Sequence, residues 1–247
     1  MTTQQETSSD TTTSSGGWAK PVEKLNLGAT PAGAINLNVE GKQVTGPLKG
    51  FGQLWQKTYA VRLVGSDIAP AELIKIWKAE FPNFWPDGNR FYGAAGQIKP
   101  GDVALLNISG PGGATISTGI LVIYADAESF SFMTPQGHVF AGMITFSAHE
   151  DDGVIVAQIQ AVVRASDPIY EMGCRVGVVH KAEDSFWHGT LCALAARFGV
   201  NGVVQQRTTL VDPRLQWAEV GSVWHNAAVR TMLFAPIHAI KGLLRRQ

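Results

Sequence analysis

The chain has 247 residues, 45% of them hydrophobic, with 27 glycines, two cysteines, and 20 basic residues against 20 acidic ones. This length suits one fair-sized domain with tails, and the cancelled charge argues against a nucleic-acid binder, which carries a basic surplus. Cys174 and Cys192 stand apart and make neither a disulfide framework nor a zinc site, so a reducing, cytoplasmic setting is expected, with Cys192 a small core residue.

Residues 1–17, MTTQQETSSDTTTSSGG, lack the basic start and apolar core of a secretory signal. Their polar composition does not offset the entropy of ordering, which predicts a disordered tail. Residues 18–54 are rich in Gly and Pro and read as an arm draped over the domain. From Trp55 the pattern sharpens, and Tyr59, Val61 and Leu63 alternate with Ala60 and Arg62 as in a strand. Pro70 then suits the first turn of a helix. Leu73, Ile74 and Trp77 share one face of that helix, and Pro82 stops it. Phe81, Phe84 and Trp85 gather at its end.

Runs at 103–108, 116–124, 130–133, 143–148 and 154–163 follow, separated by Gly-, Pro- and Asp-rich turns. One of those turns is Gly110-Pro111-Gly112-Gly113. Connections this short imply hairpins and therefore an antiparallel meander. In the last run Ile155, Ala157, Ile159, Ala161 and Val163 face one way, and Gln158 and Gln160 the other. Alanines at alternate inward positions leave space for a facing helix or a ligand. The helical period returns from Asp167. Asp167-Pro168 reads as a capped start, Trp187, Leu191, Leu194 and Phe198 form an apolar stripe, and Gly199 serves as the stop. Residues 201–247 are expected to be a C-terminal helical extension beginning near Asp212-Pro213 and interrupted or kinked at Pro236. Its end, HAIKGLLRRQ, is basic and amphipathic. A docked or dimerising helix, giving a homodimer, is preferred there to contact with a membrane surface. No stretch reaches the roughly 18 apolar residues of a membrane-spanning helix.

The stretch APAELIKIWKAEFPNFWP, residues 69–86, resembles the first helix of the SRPBCC superfamily, the START and polyketide-cyclase-like helix-grip proteins. Gly137-His138 with Gly142 and Phe146, in TPQGHVFAGMITF, is similar to the Gly-His-Pro turn of an uncharacterised subfamily, with Val139 in place of the proline. The resemblance covers residues 55–200. It implies an α+β helix-grip fold, a curved antiparallel sheet wrapped around a long C-terminal helix with an apolar cavity between them. It implies a small hydrophobic ligand (lipid, polyketide-like or isoprenoid-like) but transfers no catalytic residue and no cofactor.

Trp77, Trp85, Phe130, Phe132, Met133, His138, Phe140 and Trp187 are the candidate cavity residues. Each aromatic also suits plain core packing, and together they suit a mostly apolar cavity with a few polar anchors. His138 titrates near neutral pH and could serve as acid or base, although a histidine in a tight turn more often caps backbone groups. Asp167, Tyr170 and Glu171 are candidates for a polar rim. The sequence has no nucleophile elbow, phosphate loop, dinucleotide fingerprint or second zincin histidine after His149-Glu150. Binding or carrying a hydrophobic molecule is therefore the expected function. The alternative is a cyclase or dehydratase, which needs His138, or a carboxylate such as Glu171, pointing into the cavity beside a second polar group.

Overall fold

The computed structural model describes residues 17–93, 98–110 and 113–234. The disordered-tail expectation, the centre of the Pro111-Gly112 turn, Pro236 and the basic end fall almost wholly outside these residues. The order of elements is β1 (Val44–Thr45), β2 (Leu54–Arg62), α1 (Pro70–Ala79), a 3-10 turn (Phe81–Phe84), β3 (Arg90–Tyr92), β4 (Val103–Ser109), β5 (Thr115–Ala125), β6 (Ser129–Pro135), β7 (Phe140–Asp151), β8 (Val154–Ala165), α2 (Pro168–Arg175), α3 (Val178–Arg197) and β9 (Val204–Asp212). A 3-10 stretch at Trp217–His225 leads into a helical segment, 227–234.

The strands form one open antiparallel sheet in the order β3-β4-β5-β6-β7-β8-β2-β9, with β1 added alongside β6. The meander β3 to β8 comes from hairpins, and β2 returns to pair with β8, as Tyr59 opposite Ile159 shows. The sheet grips α3, and α1 packs across β7. This is the helix-grip α+β architecture. Among the described residues no helix is long and apolar enough to cross a membrane.

Local chemistry explains the helix boundaries. Pro70 opens α1, whose buried face is Leu73, Ile74 and Trp77. Asp167 caps α2 by accepting from the amides of Ile169 at 2.8 Å and Tyr170 at 3.1 Å. Gly199 lies at φ +71° after α3, the left-handed conformation that ends helices. The single helix expected after Asp167 is instead two. Gly177, at φ +80°, separates α2 from α3 and redirects the chain. Cys192 also departs from expectation. Leu191, Leu194 and Ala195 define the buried face of α3, which turns Cys192 outward, while Cys174 is buried.

The expected helical extension begins as a strand. Residues 204–212 pair along β2, from Val61 opposite Val204 to Trp55 opposite Leu210, and Asp212 ends the strand rather than starting a helix. The position is fixed by Arg164, buried on β8, which donates to Gly52 O at 2.7 Å, Arg214 O at 2.9 Å and Asp212 Oδ2 at 2.6 Å. Hydrogen bonds from Arg214 and Arg164 hold the Asp212 carboxyl far below the usual carboxylate range.

The N-terminal arm covers the outer face of the sheet, where Leu25 and Val39 pack on Leu105 and Leu121. Its Asn38 is a buried junction. It donates to Ser117 O at 2.9 Å, Thr231 Oγ1 at 3.1 Å and Ala227 O at 3.3 Å, and accepts from Arg230 Nε at 2.9 Å. Arm, β5 and segment 227–234 are thereby joined.

The long helix is attached to the sheet by buried charge. Lys57, on the inner face of β2 and 1% exposed, places Nζ 2.8 Å from Glu183 Oε2 and 2.7 Å from Asp184 Oδ1. Tyr59, two residues along the same face, donates to Asp184 Oδ1 at 2.6 Å. Burial opposes the ammonium charge of Lys57, but Glu183 and Asp184 outweigh it and raise the lysine above its ordinary range. Burial likewise works against the Asp184 charge, and the bonds from Lys57 and Tyr59 reverse the balance and lower its carboxyl. Removing one member of such a buried group strands the rest. Lys57→Met is expected to cost about 3–5 kcal/mol in urea unfolding, and Lys57→Met with Glu183→Leu to recover most of that loss. Equal stability of the single variant and the wild type would show that the cluster does not hold the helix.

The candidate ligand cavity

Three rows of residues across the inner face of the sheet determine where it is filled. In the first, Phe130 of β6, Phe146 of β7 and Ile159 of β8 lie side by side. In the second, Phe132, Ile144 and Ala161 do so. In the third, Gly142 sits opposite Val163, and Thr134 Oγ1 accepts from the Gly142 amide at 3.1 Å. Side-chain bulk falls from row to row along the strands.

The first row belongs to an aromatic plug. Phe81 makes edge contacts with Phe130, Phe132 and Phe146 at centroid separations of 5.6, 5.4 and 5.2 Å, and Phe130 stacks on Phe146 at 4.7 Å. Trp77 closes it from α1, 5.5 Å from Phe146. These geometries are the favourable ones for aromatic pairs. Leu191, Leu194 and Ala195 bring the C-terminal half of α3 into the same core.

Beyond the plug the small residues of the third row leave a void of about 980 Å³ between the sheet and the first half of α3. That is near the upper end of the roughly 300–1,000 Å³ range of ligand pockets. Leu106, Ile120, Phe132, Ile144 and Val163 line the sheet side, and Val179, Phe186 and Trp187 line the helix side. Ile169 and Tyr170 of α2 and Val229 and Met232 of segment 227–234 complete the wall.

Of the residues expected at the cavity, Trp85, Phe132, His138, Phe140 and Trp187 line it. Trp77 and Phe130 do not. They sit fully buried in the plug, where the first row leaves no space. Met133 does not either, because strand alternation turns it to the outer face, beside Gly46 of the arm. Ala161, one of the inward alanines of β8, does border the void, whereas Ala157 is absorbed into the core.

His138 is the turn residue that caps backbone. Its Nδ1 lies 3.1 Å from the Phe140 amide nitrogen, and its own amide donates to Pro135 O at 3.1 Å. Gly137 before it has φ +88°, and a Cβ there would fall 1.9 Å from His225 O, so only glycine lets the 3-10 stretch approach. Glu171 is not on the cavity wall. Its Oε1 accepts from Arg175 Nε at 2.9 Å and its Oε2 from the Gln53 amide at 3.4 Å, so of the two residues considered for cyclase chemistry only His138 borders the cavity. Asp167 uses Oδ1 for the α2 cap and Oδ2 to accept from Asn226 Nδ2 at 2.8 Å, and the Tyr170 hydroxyl accepts from the Ala228 amide at 3.0 Å. Two of the three expected rim residues, Asp167 and Tyr170, thus anchor segment 227–234 against the cavity.

Two wall-forming features escaped the sequence reading. Glu183 lines the cavity with its side chain 7% exposed. The signal for it was Lys57, whose place on the same strand parity as Tyr59 requires a buried acidic partner. Segment 227–234 is the other, and no local pattern announces which surface such a helix covers. Among the described residues no group of three or more His, Cys, Asp and Glu side chains is placed to hold a metal ion.

An open helix-grip sheet with an apolar cavity under its long helix is the class of protein that fold and site define. No protein-family model matches the chain, and no curated protein matches it. Several solved structures are similar. A START superfamily protein from Mycobacterium smegmatis is 21% identical, with 60% of this chain and 98% of that one covered and a TM-score of 0.41. The di-domain ARO/CYC StfQ from the steffimycin biosynthetic pathway is 13% identical, covering 60% and 53%, at TM-score 0.46. Major latex-like protein 151 from Panax ginseng is 16% identical, covering 60% and 99%, at TM-score 0.40. The fold assignment itself rests on the strand order and helix placement given above.

Burial lowers the His138 imidazole from 6.5 to about 4. Between these values the unfolded chain holds a proton that the folded one does not, so His138 makes stability rise with pH across that window and level off above it. Burial also lowers His225, so the effect is isolated by difference. In urea titrations from about pH 4 to 7, the stability lead of wild type over His138→Gln is expected to grow with pH. A lead that stays constant would mean that the His138 imidazole is not held neutral across that window.

Proposed function

We propose that this protein binds a small hydrophobic molecule in the cavity between the sheet and the first half of α3. The observation that carries the reading is the void itself, about 980 Å³ with walls that are mainly aliphatic and aromatic. Water that enters an apolar cavity of this size meets few polar partners, and an apolar ligand that takes its place removes both its own surface and the lining from water. The polar side chains on the wall are few, and most already have protein partners. Asn89 Nδ2 donates to Pro86 O at 3.0 Å, and Thr134 and Asn226 are engaged as described. Such a surface selects for apolar area and shape. Of the two candidates for cyclase or dehydratase chemistry, Glu171 lies off the cavity wall and His138 lies on it with Nδ1 bonded to backbone, which favours a binder.

A neutral fluorescent probe, N-phenyl-1-naphthylamine, is expected to bind with enhanced emission and to be displaced by apolar compounds. Ala161→Phe places a ring in the void at a fully buried position. It is expected to weaken probe binding by at least about tenfold while keeping the urea midpoint close to that of the wild type. Probe binding that persists unchanged in Ala161→Phe would refute this location.

A further inference from the structure

The cavity contains one group that its apolar character does not explain. Glu183 stands on its wall with the side chain 7% exposed. Attachment of α3 to β2 does not require it, because Asp184 already meets Lys57 at 2.7 Å and Tyr59 at 2.6 Å. Asp184, at 29% exposure, has solvent to support its charge, and Glu183 has the cavity instead. Both basic neighbours of Glu183 lie on one oxygen. Lys57 Nζ is 2.8 Å from Oε2, and His180 Nδ1 is 3.7 Å from the same atom. Oε1 is the oxygen that neither of them faces. Oε2 is buried against Lys57 and leaves no room for a further donor. A carboxylate among apolar side chains is costly unless donors reach it, and Glu183 borders the cavity.

We propose that Glu183 Oε1 is the polar anchor of the ligand, accepting a hydrogen bond from a hydroxyl group at one end of an otherwise apolar, uncharged molecule. This rests on the cavity being the binding site. The charge arrangement decides the chemistry of the head group. Lys57 faces Glu183 and Asp184 together, so the cluster keeps a surplus of negative charge and favours a ligand group that donates a hydrogen. A ligand carboxylate would meet Glu183 as a like charge in a poorly solvated place, and a ligand ammonium would lose its hydration on entering the apolar cavity, a cost that can exceed its attraction to the carboxylates.

Displacement of N-phenyl-1-naphthylamine from the full chain by 1-decanol, decanoate and decylamine at about pH 8, where decanoate is ionised and decylamine protonated, separates these cases. Decanol is expected to bind at least about tenfold more tightly than either, the scale of one hydrogen bond to a charged group. Glu183→Gln, which keeps the shape and removes the charge, is expected to narrow the alcohol-to-acid ratio to within about threefold. Should Glu183→Gln fail to fold, Lys57→Met with Glu183→Leu replaces the pair by apolar groups and serves the same comparison. Decanoate or decylamine binding as tightly as decanol would overturn the anchor, as would a ratio unchanged in the variant. Failure of the wild type to take up the probe at all would instead overturn the cavity reading, and the anchor with it.

Discussion

The contact of Lys57 with Glu183 and Asp184 sets the distance between the long helix and the sheet. An ammonium group 1% exposed on the inner face of β2 has no water to solvate it, and it is tolerable only where carboxylates meet it. The helix must therefore present a carboxylate to that strand, and residues 183 and 184 both do so. Leu191 lies eight residues further along α3, about 12 Å at the helical rise, and from there Leu191, Leu194 and Ala195 descend into the aromatic plug. One half of the helix is fastened by charge and the other by packing. The ligand space opens beside the charged half.

The void has a cause in the sheet as well. Interiors pack closely wherever side chains can fill them, and here the inward residues shrink along the strands from Phe130, Phe146 and Ile159 to Gly142 and Thr134. Closing that end would need α3 to tilt inward. The helix cannot do so without disturbing either the Lys57 cluster or the plug. Segment 227–234 adds a further wall, held by Asn38 from the arm and by Asp167 through Asn226. Arm, sheet, α2 and C-terminal segment thus share one task, keeping apolar walls apart around a space that a hydrophobic molecule can fill.

Most of the fold was legible because its signals are local. Pro70, Asp167 and Gly199 mark helix ends by backbone chemistry, and the alternation of Ile155, Ala157, Ile159 and Ala161 reveals the inner face of β8. What failed to show depends on distant partners. Strand β9 is exposed along nearly its whole length, so it has no alternating apolar face, and only the edge of β2 makes it a strand. Trp77 and Trp85 look alike in sequence, yet one closes the plug and the other lines the void, since that difference lies in the rows they meet. Alternation alone would have separated Met133 from Phe132. Glu183 was hidden because a carboxylate on a helix usually faces water, and only the inward parity of Lys57 points to its burial.

The central claim is that the space between sheet and helix is a binding cavity for an apolar molecule rather than an empty packing defect. Native mass spectrometry of the protein as purified from cells, followed by extraction and identification of any released compound, tests it most directly. The account predicts a bound species above the 26.5 kDa chain mass, lost in the Ala161→Phe variant, with an apolar body and a hydroxyl end. A chain that is bare as isolated and remains bare after incubation with long-chain alcohols would contradict it.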